Sequence, residues 1–221
     1  MYSIEKVDTH VHLEGYSPCS NFEVKELEQL VEEKNVSVTC ITDHHTIDGA
    51  LEYMSVHKTI IIPGVEVTTN SVGDVLVFSE DIEYLKSLAP TSTTGKILMP
   101  ITLESLKSGD DTLIIWAHPL CNPVWLYDTK VYDRVLRKVD ALELYNGTYS
   151  MAIFAGSVEA KHLVRMKELA KAYDVAMTGG SDSHMPTQFM RAYTEFPEPV
   201  RNVKDFIRQI KEHKVTPHFN L

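Results

Sequence analysis

Short apolar runs that each end in a histidine or an acid, separated by stretches with helical spacing, constrain this chain more than any other feature. His10 and His12 close a run that begins at Ile4, Asp43 and His44 follow the run from Val36 to Ile41, and Glu66 follows Ile60 to Val65. His118 then follows Leu113 to Ala117, Glu143 closes a run from Val139, and Asp182 and His184 follow Val175 to Gly180. If these runs are parallel strands, their C-terminal ends meet at one mouth. Distant stretches of sequence then supply the imidazoles and carboxylates that a metal site needs.

The intervening segments fit that reading. Ser20 and Glu23 read as a capping box opening a helix with Val24, Leu27, Leu30 and Val31 on one face. Further helices are expected at 49–57, 80–87, 103–108, 132–138, 158–173 and 203–214, with a loop at 90–95. Strands are expected at 4–11, 36–42, 60–67, 75–78, 113–118, 139–144 and 175–178. About seven strands joined mostly by helices point to a parallel sheet or barrel, folded as one domain over 1–221.

Bulk properties exclude several classes. The formal charge of −10, from 31 acids against 21 Lys and Arg, disfavours a stable nucleic-acid partner, which needs clustered cations. Part of that acidity would sit under metal, so a small anionic substrate stays compatible. No apolar run reaches the roughly 18 residues that span a bilayer. Met1 leads into Tyr-Ser-Ile-Glu rather than a basic, apolar leader, which points to a cytoplasmic protein without a membrane partner. Three cysteines without a CxxC pair argue against a disulfide framework, and Cys40 reads as core. Phosphate-binding loops, dinucleotide fingerprints and the serine nucleophile elbow are all missing.

Residues i and i+2 of a strand share a face, so His10 and His12 can reach one ion together, and Asp182 with His184 forms a second such pair. Mixed imidazole and carboxylate ligands suit Zn, Mn or Fe(II) rather than Ca or Mg. A carboxylate such as Glu66 can bridge two ions, an arrangement that generates hydroxide at neutral pH and clamps a phosphoryl oxygen. Asp8, on the same face as His10, is placed either to accept an N–H from a ligand imidazole or to serve as a loop cap.

The series Asp8-Thr9-His10-Val11-His12, Thr42-Asp43-His44, Gly64-Val65-Glu66, Ala117-His118-Pro119, Leu142-Glu143 and Gly180-Ser181-Asp182-Ser183-His184 resembles the PHP (polymerase and histidinol phosphatase) family, in the family's order. Arg191-Ala192-Tyr193-Thr194 and Lys214-Val215-Thr216-Pro217 resemble the tail of its small stand-alone members. The resemblance implies a distorted (β/α)7 barrel, two or three divalent ions (Zn, Mn or Fe) at its C-terminal mouth, and phosphoesterase activity by metal-activated hydroxide on a small phosphorylated metabolite or nucleotide. It assigns His10, His12, Glu66 and Asp182 to a first ion, Glu66 and His118 to a second, and His44 and His184 to a third. Glu66 and Asp182 are then catalytic as well as ligating.

Two departures accompany the resemblance. Three-metal members usually carry an Asp after the Ser of the first motif, where this chain has Ser17-Pro18-Cys19, and many carry a His shortly after the Glu strand, where none lies between Glu66 and His118. Cys19 is either a thiolate ligand of the third ion, favouring zinc, or an ordinary small residue. Glu143 either ligates at the second ion or holds the neighbouring loop with Asn146. His45 is a candidate proton donor to the leaving group, and Arg191 and Asn146 are candidates for substrate contact. Trp125 and Tyr127 either stack on a base or sugar or pack as a lid; His57, His162, His213 and His218 read as surface residues. Alternatives outside the phosphoesterase reading are an amidohydrolase-like barrel, which also starts on HxH, and a non-catalytic, metal-stabilised binding module.

Overall fold

The computed structural model describes residues 4–56, 59–70, 72–88, 101–149 and 160–220. Its main sheet has six strands in the order β2 (Val38–Ile41), β3 (Ile60–Thr69), β4 (Gly73–Ser79), β5 (Thr112–Trp116), β6 (Ala141–Asn146) and β7 (Ala176–Gly180). Around it run α1 (Val24–Glu33), α2 (Asp48–Val56), α3 (Ile82–Ser87), α4 (Thr129–Leu136) and α5 (Ala160–Tyr173). A smaller antiparallel sheet joins β1 (Glu5–Val7), β8 (Ala192–Phe196) and β9 (Thr216–Phe219), with α6 (Val203–Lys211) between the last two.

Parallel pairing holds for β2 with β3 and for β5, β6 and β7, but β4 is antiparallel to both of its neighbours. Residues 70–72 alone separate β3 from β4, too short a link for a parallel crossover, so the pair is a hairpin. The expected first strand is divided. Its start pairs with β8, while Asp8 bridges Thr39 of β2 and Val11 bridges Ser183 beyond β7. Cys40 N donates to Asp8 O (2.9 Å) and Asp182 N to His10 O (2.8 Å), so segment 8–12 ties the two edges of the six-stranded sheet together and curls it.

Alternation along the strands then sorts inside from outside. One apolar cluster draws Cys40, Ile62, Leu76, Phe78, Leu113, Ile115, Ala141 and Ala176 from all six strands, together with Phe206, Ile207 and Ile210 of α6. That cluster is the inside of the curl, and α6 plugs one end; burying its three large side chains contributes on the order of 2 kcal/mol each. Val65, Val77, Ile114, Trp116, Leu142 and Leu144 face the other way, against α3, α4 and α5. Polar side chains are therefore left for the opposite end of the curl.

Several local expectations shift. Glu23, not Ser20, caps α1 and exchanges hydrogen bonds with Glu26; Ser20 Oγ instead donates to His12 O (3.0 Å) and accepts from Phe22 N (3.1 Å), tying down the loop beside His12. The helix expected at 103–108 is a single 3-10 turn, Leu103–Ser105, and the last helix stops at Lys211 so that β9 can pair. Residues 57, 90–95 and 158–159 lie outside the described residues. Among the described residues no helix is long and apolar enough to cross a membrane.

Candidate metal centre

Two devices aim the polar side chains inward. Glu66 lies two and four residues beyond Gly64 and Ile62 on β3, and Glu143 two beyond Ala141 on β6, so plain alternation carries both inside. His118 and Asp182 follow their strands with φ of 29° and 53°, and His45 has φ of 55°. Non-glycine residues in the left-handed region cost on the order of 1–2 kcal/mol each, and three such residues at strand ends mark a place where side-chain aim outweighs backbone comfort.

The result is one buried cluster. Glu66 Oε2 lies 3.5, 3.2 and 2.9 Å from ring nitrogens of His10, His12 and His44, while its other oxygen is 3.0 Å from His118 Nε2. Asp182 Oδ1 is 3.5 Å from His10 Nε2, 3.2 Å from His12 Nε2 and 3.5 Å from His184 Nδ1. Three overlapping sets bring their ligand atoms within 4.8 Å of one another: His10, His12 and Asp182; His10, Glu66 and His118; His12, His44 and His184. Cys19 Sγ is 3.1 Å from His184 Nε2, beside the third set.

The hydrogen bonds behind these rings fix which nitrogen faces inward. Glu143 Oε1 lies 3.0 Å from His10 Nδ1; an ionised carboxylate only accepts, so Nδ1 carries the proton and Nε2 keeps its lone pair. Ser17 Oγ donates to Asp43 Oδ1 (2.7 Å) and accepts from His12 Nδ1 (3.1 Å), which leaves the His12 Nε2 lone pair inward as well. The two Nε2 atoms are 2.9 Å apart, and two lone pairs at that distance need a cation between them. The residues therefore fit divalent metal, and the outer partners hold the tautomers that a metal requires.

Without metal, a proton serves instead. Burial alone would depress the His10 pKa, but the carboxylates of Asp182, Glu143 and Glu66 outweigh it and hold the ring well above the ordinary histidine range. Reciprocally, and again against burial, the surrounding imidazoles hold Glu66 and Asp182 below the usual carboxylate range. Burial and its neighbour His44 push His45 down.

Several expected residues take other places. Glu143 uses Oε2 to accept from His118 N (2.8 Å) and Asn146 Nδ2 (2.9 Å), so its two oxygens are engaged by His10, His118 and Asn146. Asn146 also reaches Asp182 Oδ2 (3.2 Å) and accepts from Thr148 N and Tyr149 N, so it braces the acids. Asp8 takes backbone N–H groups from His10, Ser181 and Met190, not an imidazole, and burial pushes its carboxyl up to about 6. Arg191, half-buried, makes no ion pair among the described residues, and both ring nitrogens of His45 are buried without a hydrogen bond. Trp125 stacks on Trp116 (6.3 Å between centroids) and covers Gly73, while Tyr127 bonds His162 Nδ1 (3.0 Å). His218 is part of β9, 2.9 Å from Glu195.

Ser17, Asp43, Asp74 and Tyr149 were not singled out as site residues from the sequence. Asp43 immediately precedes His44 and was visible in the pattern of acids at strand ends, whereas Tyr149, whose ring lies 5.1 Å from that of His118, had no periodic signal.

Comparison with solved structures places this geometry among known folds. PsfC from Pseudomonas syringae superposes with a TM-score of 0.66 at 19% identity, over 99% of this chain and 93% of that one. A protein assigned as a metal-dependent phosphoesterase from Bifidobacterium adolescentis gives 0.59 at 15% identity, over 94% and 96%. A lesion-specific endonuclease from Pyrococcus furiosus gives 0.61 at 15% identity, over 95% of this chain but 56% of that one. The model of the PHP-associated family matches residues 162–215, from α5 through α6. Over that stretch the chain is similar to the PHP-associated family, and over nearly its whole length it shares the fold of these solved structures. The matched stretch contains Asp182 and His184, while the other ligand candidates lie upstream of it. No curated protein matches the sequence.

Proposed function

We propose that this chain is a PHP-family protein and a metal-dependent hydrolase of phosphoric esters, acting on a small phosphorylated metabolite or nucleotide. The observation that carries the reading is Glu66: fully buried, with one oxygen at His118 and the other among His10, His12 and His44, it is placed to be shared between two ions. Divalent ions bound there would polarise a phosphoryl oxygen and acidify a water enough to ionise near neutral pH. The six strands of the curled sheet, with segment 8–12 bridging its two edges, support reading it as a distorted (β/α)7 barrel.

The chain's own groups do the rest. Glu143, Ser17 and Asp43 hold His10 and His12 in the tautomers that present Nε2 inward. His45 is the candidate to protonate the leaving group, and Arg191, beside Gly147, the candidate to hold a non-reacting phosphate oxygen. Tyr149, 38% exposed beside His118, would wall the substrate. A net charge of −10 favours a small anionic substrate drawn by local metal charge over an extended nucleic acid.

Phosphate release from a panel of nucleotides and sugar phosphates, with Mn or Zn supplied, tests the reading. Wild type is expected to turn over at least one ester, and His12→Ala and Asp182→Ala to lose more than about a hundredfold. Equal rates in all three proteins would overturn it.

A further inference from the structure

The second ion is short of a ligand in the sequence, because no histidine lies between Glu66 and His118. The β3–β4 hairpin offers a replacement. Glu66 pairs with Leu76 and Thr68 with Asp74, so Asp74 lies two residues from Glu66's partner on the antiparallel strand. Leu76 and Phe78 face the inside of the curl, and alternation puts Asp74 on that same face, one step nearer the open end.

The surroundings hold it there. Asp74 O accepts from Ala117 N (3.1 Å), pinning its backbone beside His118. Gly73, with φ of 77°, turns the chain directly before it under the Trp125 ring, where any Cβ would come within 2.6 Å of Trp125. Asp74 Oδ2 is 3.9 Å from His118 Nε2, and that same nitrogen is 3.0 Å from Glu66 Oε1. Two donors bound at about 2.1 Å to one ion can be separated by as much as about 4 Å, so His118 Nε2 is close enough to share an ion with either carboxylate. Among the described residues, the Asp74 carboxylate has no other ion pair or side-chain hydrogen bond, although it is only 26% exposed.

We infer that Asp74 is a ligand of the second ion, standing where an imidazole would otherwise be. This rests on the metal-dependent reading of the site and adds a consequence to it. With Glu66, Asp74 and His118 the second position offers two carboxylates to one imidazole, whereas the first, on His10, His12, Glu66 and Asp182, offers equal numbers of each. Oxygen ligands favour Mn and Fe(II) over Zn, so the two positions differ in metal preference.

Metal content decides the matter independently of any activity. Metal-free wild type, Asp74→Ala, Asp74→Asn and Asp74→His would each be equilibrated with Mn and with Zn, desalted, and analysed by elemental analysis and by the electron paramagnetic resonance of bound Mn. Circular dichroism would verify folding. Wild type is expected to retain Mn at the second position; Asp74→Ala should weaken that one ion by at least about tenfold and leave the first in place. Asp74→Asn should fall between them, and Asp74→His should recover the stoichiometry with preference moved toward Zn. Folded Asp74→Ala and Asp74→Asn that bind both metals as wild type does would overturn the assignment. Wild type that binds no metal would instead overturn the metal-dependent reading on which it rests.

Discussion

Glu143 Oε1 lies 3.0 Å from His10 Nδ1, on the far side of the ring from the ligand cluster, while Glu143 Oε2 accepts from His118 N and Asn146 Nδ2. One carboxylate thus accepts from three donors. In Glu143→Gln the single carbonyl oxygen satisfies the two donors on the Oε2 side only by turning its NH2 toward His10, which moves the His10 proton to Nε2 and blocks the ligand position. Metal affinity at the first ion should fall by about 10- to 100-fold, read by competition with a chromogenic chelator, with the far-ultraviolet spectrum unchanged. An affinity within twofold of wild type would show that the tautomer is set elsewhere.

Ser17 sits at a similar junction. Its hydroxyl donates to Asp43 Oδ1 and accepts from His12 Nδ1 and His44 N. Ser17→Ala removes all three bonds from a buried site and leaves Asp43, whose Oδ2 is already without a hydrogen bond, with Leu13 N as its remaining donor. The expected loss is about 1–3 kcal/mol, or a fall of several degrees in the melting temperature of the metal-free protein. Urea titration measures it, and a midpoint equal to wild type would contradict the chain of contacts.

Which parts of this were legible in the sequence follows from the range of the interactions. The ligand candidates were readable because strand alternation and the strand-end position are local: His10, His12, Glu66, His118, Asp182 and His184 each follow an apolar run, and the structure brings them together. The helix positions followed from periodicity in the same way, with shifts of a few residues at the ends, except at 103–108, where only a 3-10 turn forms. What alternation could not show were contacts closed across the chain, such as Asp8 with Ser181 and Met190, or Asn146 with Asp182. The small sheet of β1, β8 and β9 was missed for another reason. Its short strands, Thr216–Phe219 among them, carry no buried alternating pattern and are specified by their partners. The antiparallel β4 was implicit in the short link after Thr69, a constraint of length rather than of composition.

Gly180 tests how closely the backbone must approach the site. A Cβ placed there would lie 2.5 Å from His10 Cβ and 2.7 Å from Glu143 Oε1, and neither can move without breaking the bond that orients His10. Gly180→Ala should therefore cost metal affinity by about tenfold or more alongside about 1–3 kcal/mol of stability. Isothermal titration with Mn and a thermal melt measure the two effects. Loss of stability with full metal affinity would mean that the strain relaxes away from His10.

Proton and metal compete for the same nitrogens, and this gives opposite pH responses for the loaded and metal-free protein. His10 is fully buried and its pKa is raised well above 6.5, so its contribution to metal-free stability is present in full below 6.5 and is lost as pH rises through the raised value. Glu66, lowered well below 4.5, contributes stability that is present above 4.5 and lost only as pH falls through that depressed value. From neutral pH upward the His10 loss dominates, by up to about 1.4 kcal/mol per pH unit for one proton. A metal ion must displace that proton, so its affinity rises over the same range. Between pH 7 and 9, melting temperatures in chelator should fall, while those at fixed free Mn should hold or rise. Parallel curves in the two conditions would show that the ion does not displace the His10 proton.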